Sequence, residues 1–309
     1  MHRRIDRVVR TLLIVGLPLC VLASAAAQTA DPAPAPQPVR MWHVGNSWSC
    51  PFPFDHVGLP RTFVLHTHGL GGTDEQAVTE GWIRQALDKD ARGRKAFESG
   101  DFDVVYLGFV QLHEPVAGLD PIADLALARN PRCRIYLQHA WPWITKADSP
   151  HEGDDIDALE AGSNKGLKAL EEKVDAINGR LGRRVLFINP VASAVMKLRR
   201  RVAAKEFPGI TSQADVFNDT EGRRDDHAGT QIVVLTMYCA HAAIHRRSPV
   251  GLKITSPDGF WGHVQRADKG KIPVDDAQHA ALQRIAWETV STYRHAGVAP
   301  VPETPTSPP

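Results

Sequence analysis

The chain has 309 residues, 43% of them hydrophobic and 23% charged, with a formal net charge of +1. That balance is ordinary for a globular protein and excludes recognition of nucleic acid or an anionic membrane through overall charge. The length leaves room for one α/β body of about 250 residues between two irregular ends.

The amino end carries Arg3, Arg4, Arg7 and Arg10, then an almost wholly apolar stretch over 11–23, then Ser24-Ala25-Ala26-Ala27 before Gln28. This pattern predicts a secretory signal peptide over residues 1–27. The apolar stretch is shorter than the ~20 residues of a spanning helix, so no stable membrane anchor is expected. The bulky Leu19 before Cys20 argues against a lipid-modified cysteine. A secreted or periplasmic mature protein follows. Residues 28–40 form a Pro/Ala-rich linker, 41–297 the folded domain, and 298–309 a proline-rich tail. Cys50, Cys133 and Cys239 remain after cleavage. An odd count in an oxidising compartment fits one disulfide plus a free thiol, or three buried thiols.

In chain order, an apolar run ends in Gly45-Asn46-Ser47. A strand that stops at glycine delivers the next side chains to the carboxyl edge of a sheet, where open α/β folds bind ligands. Ser47 would there have an exposed hydroxyl and a backbone N–H available to an anion. The other reading is a plain turn, since all three residues are turn formers. Residues 62–66 read as a strand and 68–73 as a glycine loop, with Thr73 and Gln76 as a capping box for a helix through Leu87. Such a loop presents backbone N–H groups to an oxyanion, and it lacks the GxxxxGK[ST] pattern of a nucleotide site. His66 and His68 alternate on one strand, but no third ligand follows at a recognised spacing. No metal is assigned.

Residues 102–109, 134–138 and 184–189 are continuous apolar runs of the buried parallel type. Helices are expected over 121–129, over 159–181 with Leu167, Leu170, Val174, Ile177 and Leu181 on one face, and over 192–205. The run Lys197-Leu198-Arg199-Arg200-Arg201 reads as a solvated face. Strands alternating with helices predict an α/β three-layer sandwich with a central, mostly parallel sheet. The polar stretch 223–230 reads as a loop containing His227 beside Asp225 and Asp226. A histidine acting as general base needs its second nitrogen held by a carboxylate or carbonyl; a helix cap with a solvated histidine is the alternative. Helices over 231–245 and 276–294 complete the body.

Taken together, Ser47, the glycine loop and the late Asp-His resemble the SGNH (GDSL-type) hydrolase family, over residues 44–251. Val44-Gly45-Asn46-Ser47 is similar to the family's first block, with asparagine where Gly-Asp-Ser is commoner. Gly71-Gly72-Thr73 resembles the second block, and Asp225-Asp226-His227 the last. The stretches 136–142, 188–190, 207–210 and 248–251 look like segments of a bacterial subgroup. Where the third block has Gly-x-Asn, this chain has Gly108-Phe109-Val110-Gln111, and the last block is shortened.

The resemblance implies a flavodoxin-like fold and a Ser-His-Asp esterase acting on small acyl esters, carbohydrate-linked esters among them. Ser47 would be the nucleophile, His227 the base and Asp225 its orienting acid, with Asp226 as the alternative. Asn46, Gly71, Gly108 and Gln111 would line the oxyanion and substrate site. No cofactor is implied, and the partner is a small-molecule or carbohydrate ester. The rival reading is a weak or inactive relative that binds a glycan or a partner in the same cleft.

Overall fold

Five parallel strands form the centre of the protein. The computed structural model describes residues 39–45, 64–68, 91–110, 119–142, 153–220, 223–252 and 274–298. The strands are β1 (Met41–Gly45), β2 (Val64–His68), β3 (Val104–Val110), β4 (Arg134–His139) and β5 (Leu186–Asn189). They lie in the order β2-β1-β3-β4-β5, and every neighbouring pair is parallel. This is the flavodoxin-like order, whose connections turn in opposite directions from a switch point between β1 and β3.

Both faces of the sheet are covered, which is why its strands read as unbroken apolar runs. On one face Trp42, Val105, Leu107, Ile135, Leu137 and Ile188 join Phe97, Ile122 and Leu170. Those last three belong to α1 (Ala91–Ser99), α2 (Leu119–Arg129) and α3 (Ile156–Arg180). On the other face Met41, Val104, Tyr106, Tyr136 and Phe187 join Val195, Leu235 and Leu282. These come from α4 (Val191–Ala203), α5 (Thr230–His245) and α6 (Asp276–Thr292). The expected three-layer α/β sandwich is what the chain forms.

Each helix is shaped by its sequence. In α3 the buried residues Leu167, Leu170, Val174 and Ile177 form the expected stripe. The helix starts three residues earlier than its periodicity suggests, because the Asp155 side chain accepts a hydrogen bond from the Ala158 N–H and caps it. Helix α5 is buried at every position from Thr230 to Ile244. A helix apolar on all sides has to lie inside a protein, and this one packs on α4, α6 and the sheet.

The structure departs from the sequence reading elsewhere too. Strand β2 continues through His68, which ends the strand instead of opening the glycine loop. The run 197–201 is not uniformly solvated: Arg199 is 2% exposed, pairs with Asp154 at 2.8 Å and lies over the Phe217 ring. Arg200, one position on, is exposed and ion-paired with Asp157. Cys133 and Cys239 are free and buried, in the clusters on opposite faces of the sheet, as the buried-thiol alternative expects of these two; Cys50 lies outside the described residues. Finally, 223–228 is not a loop. It is β7 (Arg223–Ala228), paired antiparallel with β6 (Phe217–Thr220). Asp and Asn are poor strand formers, so only the cross-strand pairing reveals this ribbon.

Candidate active site at the carboxyl edge of the sheet

At the switch point, the carboxyl ends of β1, β2 and β3 lie side by side. Gly45 pairs with His68, and Val44 with Leu107. Of the expected site residues, Asn46 and Ser47 follow Gly45 directly, Gly71 comes three positions after His68, and Gln111 follows Val110. These four lie outside the described residues. The three strand ends from which they issue are neighbours.

Gly108 is described and buried inside β3. The β3–β4 register moves there, from Leu107 opposite Leu137 to Val110 opposite His139. Gly108 and Phe109 together therefore face the single residue Gln138, a bulge. Bulges bend a strand and recur beside active sites.

A second bulge falls on the expected acid and base. Phe217 pairs with Ala228 and Asp219 with Arg224, so Asn218 alone faces Asp225, Asp226 and His227. The backbone of these three residues is extended, but their side chains lie outside the described residues. A simple in-and-out alternation does not carry through a bulge, so it does not choose between Asp225 and Asp226. Immediately after the bulge, Gly229 donates its N–H to the Val216 carbonyl at 2.9 Å and begins α5. A β-carbon on Gly229 would sit 2.5 Å from that carbonyl oxygen; only glycine allows the ribbon to close so tightly ahead of the helix. Ala228 and Phe217 belong to the apolar cluster on the α4–α5–α6 side of the sheet.

On that same side lies a buried polar layer that the sequence reading did not single out. The Asn189 amide donates from Nδ2 to the Tyr106 hydroxyl at 2.8 Å, and that hydroxyl donates to Gln138 Oε1 at 2.9 Å. His43 meets the Tyr106 ring edge-on, with centroids 5.5 Å apart. All four side chains are fully buried. Burial pushes the Tyr106 phenol well above its ordinary range, against the lowering effect of the Asn189 bond, so the hydroxyl stays protonated and donates. Asn189 Oδ1 is buried with no partner among the described residues. The signal was legible in principle: a hydroxyl or amide inside a fully buried strand has to find a partner.

On the opposite side, His139 ends β4 and meets Ser163 of α3 across 3.5 Å. Burial alone holds its imidazole down at about 3. It is a neutral link between strand and helix. Among the described residues, no group of three or more His, Cys, Asp or Glu side chains could hold a metal ion.

No protein-family model matches the chain, and no curated protein does. Among solved structures, it resembles a DUF4886 family protein from Bacteroides uniformis, with a TM-score of 0.50 and 13% sequence identity. The match covers 82% of this chain and 95% of that one. The likeness is one of fold.

Proposed function

We propose that the chain is an exported serine hydrolase of small acyl esters, carbohydrate-linked esters among them. One observation carries the reading: the ends of β1, β2 and β3 are adjacent at the switch point, the place where open α/β sheets bind ligands. The segments that resemble the serine, oxyanion-loop and third blocks all begin there.

In this mechanism, Ser47 Oγ attacks the ester carbonyl carbon while His227 takes its proton. The oxyanion is held by the backbone N–H groups of Ser47 and Gly71, with Asn46, Gly108 and Gln111 lining the site. Removing one such donor costs about 10²–10³ in turnover. The tetrahedral intermediate collapses, His227 protonates the departing alkoxide, and an acyl-Ser47 remains. Water, deprotonated by His227, then releases the carboxylic acid and restores the serine. Asp225 orients the imidazole, with Asp226 as the alternative.

The test is a fluorophosphonate probe on purified protein together with a 4-nitrophenyl acetate assay of wild type and Ser47→Ala. Wild type should label and hydrolyse, and the variant should do neither while keeping its melting temperature. An active Ser47→Ala overturns the assignment. An unlabelled wild type leaves the cleft to the binding reading, which the missing Gly-x-Asn asparagine favours.

A further inference from the structure

We propose that Tyr106 is a positioning residue for the site, setting the exit of β3 against that of β1 through the buried polar layer beneath the carboxyl edge. The proposal rests on the esterase reading for its kinetic arm only. Three strands are tied at the Tyr106 hydroxyl: it accepts from Asn189 of β5 and donates to Gln138 of β4. Its ring meets His43 of β1, four positions before Ser47. Tyr106 itself precedes the Gly108–Phe109 bulge by two residues and Gln111 by five.

The direction of the chain of bonds is fixed by chemistry. An amide N–H₂ can only donate and a carbonyl oxygen can only accept, so the phenol proton must lie toward Gln138. Gln138 in turn faces the bulge from β4. A bulge is held by what packs on it, because its extra residue is unpaired in the ladder. The hydroxyl bonds therefore hold β3, at the residues leading into its bulge, against β4 and β5, while the Tyr106 ring sets the same point of β3 against His43 of β1. Errors of about 1 Å between reacting groups can cost about 10² in rate.

A purely structural role for a buried hydroxyl would look the same at any buried tyrosine, and the protein supplies a control. Tyr136 lies on the same sheet face, fully buried, and donates to the Ala243 carbonyl at 2.9 Å. It also takes a bond from Arg134, at the start of β4. Tyr106→Phe keeps the ring against His43 and removes only the hydroxyl; Tyr136→Phe, at the residue paired with Tyr106 across the strands, removes a hydroxyl bonded instead to Ala243 of α5 and Arg134 at the start of β4.

The experiment measures kcat and KM on 4-nitrophenyl acetate, and hydrogen exchange by peptide mapping, for wild type and both variants. Tyr106→Phe should lower kcat by about 10–100-fold with KM little changed, and should speed exchange at the exits of β1 and β3. Tyr136→Phe should lower the melting temperature to a similar degree, with kcat and exchange at those exits unchanged. Equal kcat in Tyr106→Phe and wild type, or equal kcat losses in both variants, would overturn the proposal. If wild type has no esterase activity, the function reading fails and the exchange arm decides alone. Faster exchange confined to β4 and β5 in Tyr106→Phe would then refute it.

Discussion

His241 and His245 stand one turn apart on α5, their rings stacked with centroids 5.0 Å apart and planes inclined by 20°. Burial holds His241 down at about 4 and His245 at about 3. Arg247 adds to both shifts, and His241 and Arg134 add to that of His245. The cluster is cationic in surroundings and neutral in its imidazoles. In the unfolded chain the same groups titrate near 6.5, so on acidification the unfolded state takes up protons first.

Stability is therefore complete above about pH 6.5 and falls as the pH drops toward the folded values near 3 to 4. His139, held at about 3 by burial, acts in the same direction. Melting curves from pH 7.5 to 5 should be nearly level down to about pH 6.5 and then fall for wild type, in a window above most carboxylate titration. His241→Gln with His245→Gln should flatten the curve, leaving the part due to His139. A wild-type melting temperature constant across that window would refute this.

Gly229→Ala should destabilise the protein by about 2 kcal/mol, since the new methyl group would run into the Val216 carbonyl that the Gly229 N–H bonds. It should also reduce turnover, because the collision lies two residues from His227. Chemical denaturation and the ester assay read the two effects. A variant as stable as wild type would show that the ribbon yields at no cost.

The orienting carboxylate is decided by a pair of variants. With Asp225 as partner, Asp225→Asn should lose up to about 10⁴ in turnover with little change in melting. Asp226→Asn should then keep its turnover. The reverse pattern assigns the role to Asp226. Full turnover in both would leave His227 with neither as its partner.

The buried strands and amphipathic helices were legible because burial on one or both faces imposes a period on the residues. Leu167, Leu170, Val174 and Ile177 show it for α3, and Val104 to Leu107 for β3. The ribbon β6–β7 was not legible. Most of its residues are polar or charged, and what makes it a strand is hydrogen bonding to a partner segment. Arg199 was misread for a related reason: Asp154, Gln213 and Phe217, which make its burial tolerable, are all distant in sequence.

By itself, then, the sequence determined the alternation of apolar strands and helices, and with it a covered parallel sheet, because hydrophobic burial acts locally on each element's own period. It also determined the identities of the candidate groups Ser47, His227 and the neighbouring carboxylates. Only the tertiary structure decided the strand order that brings the ends of β1, β2 and β3 together, the two bulges at Gly108 and beside His227, and the Asn189–Tyr106–Gln138 layer. Each of these depends on register between segments far apart in the chain, and register is a property of backbone pairing that no local pattern encodes.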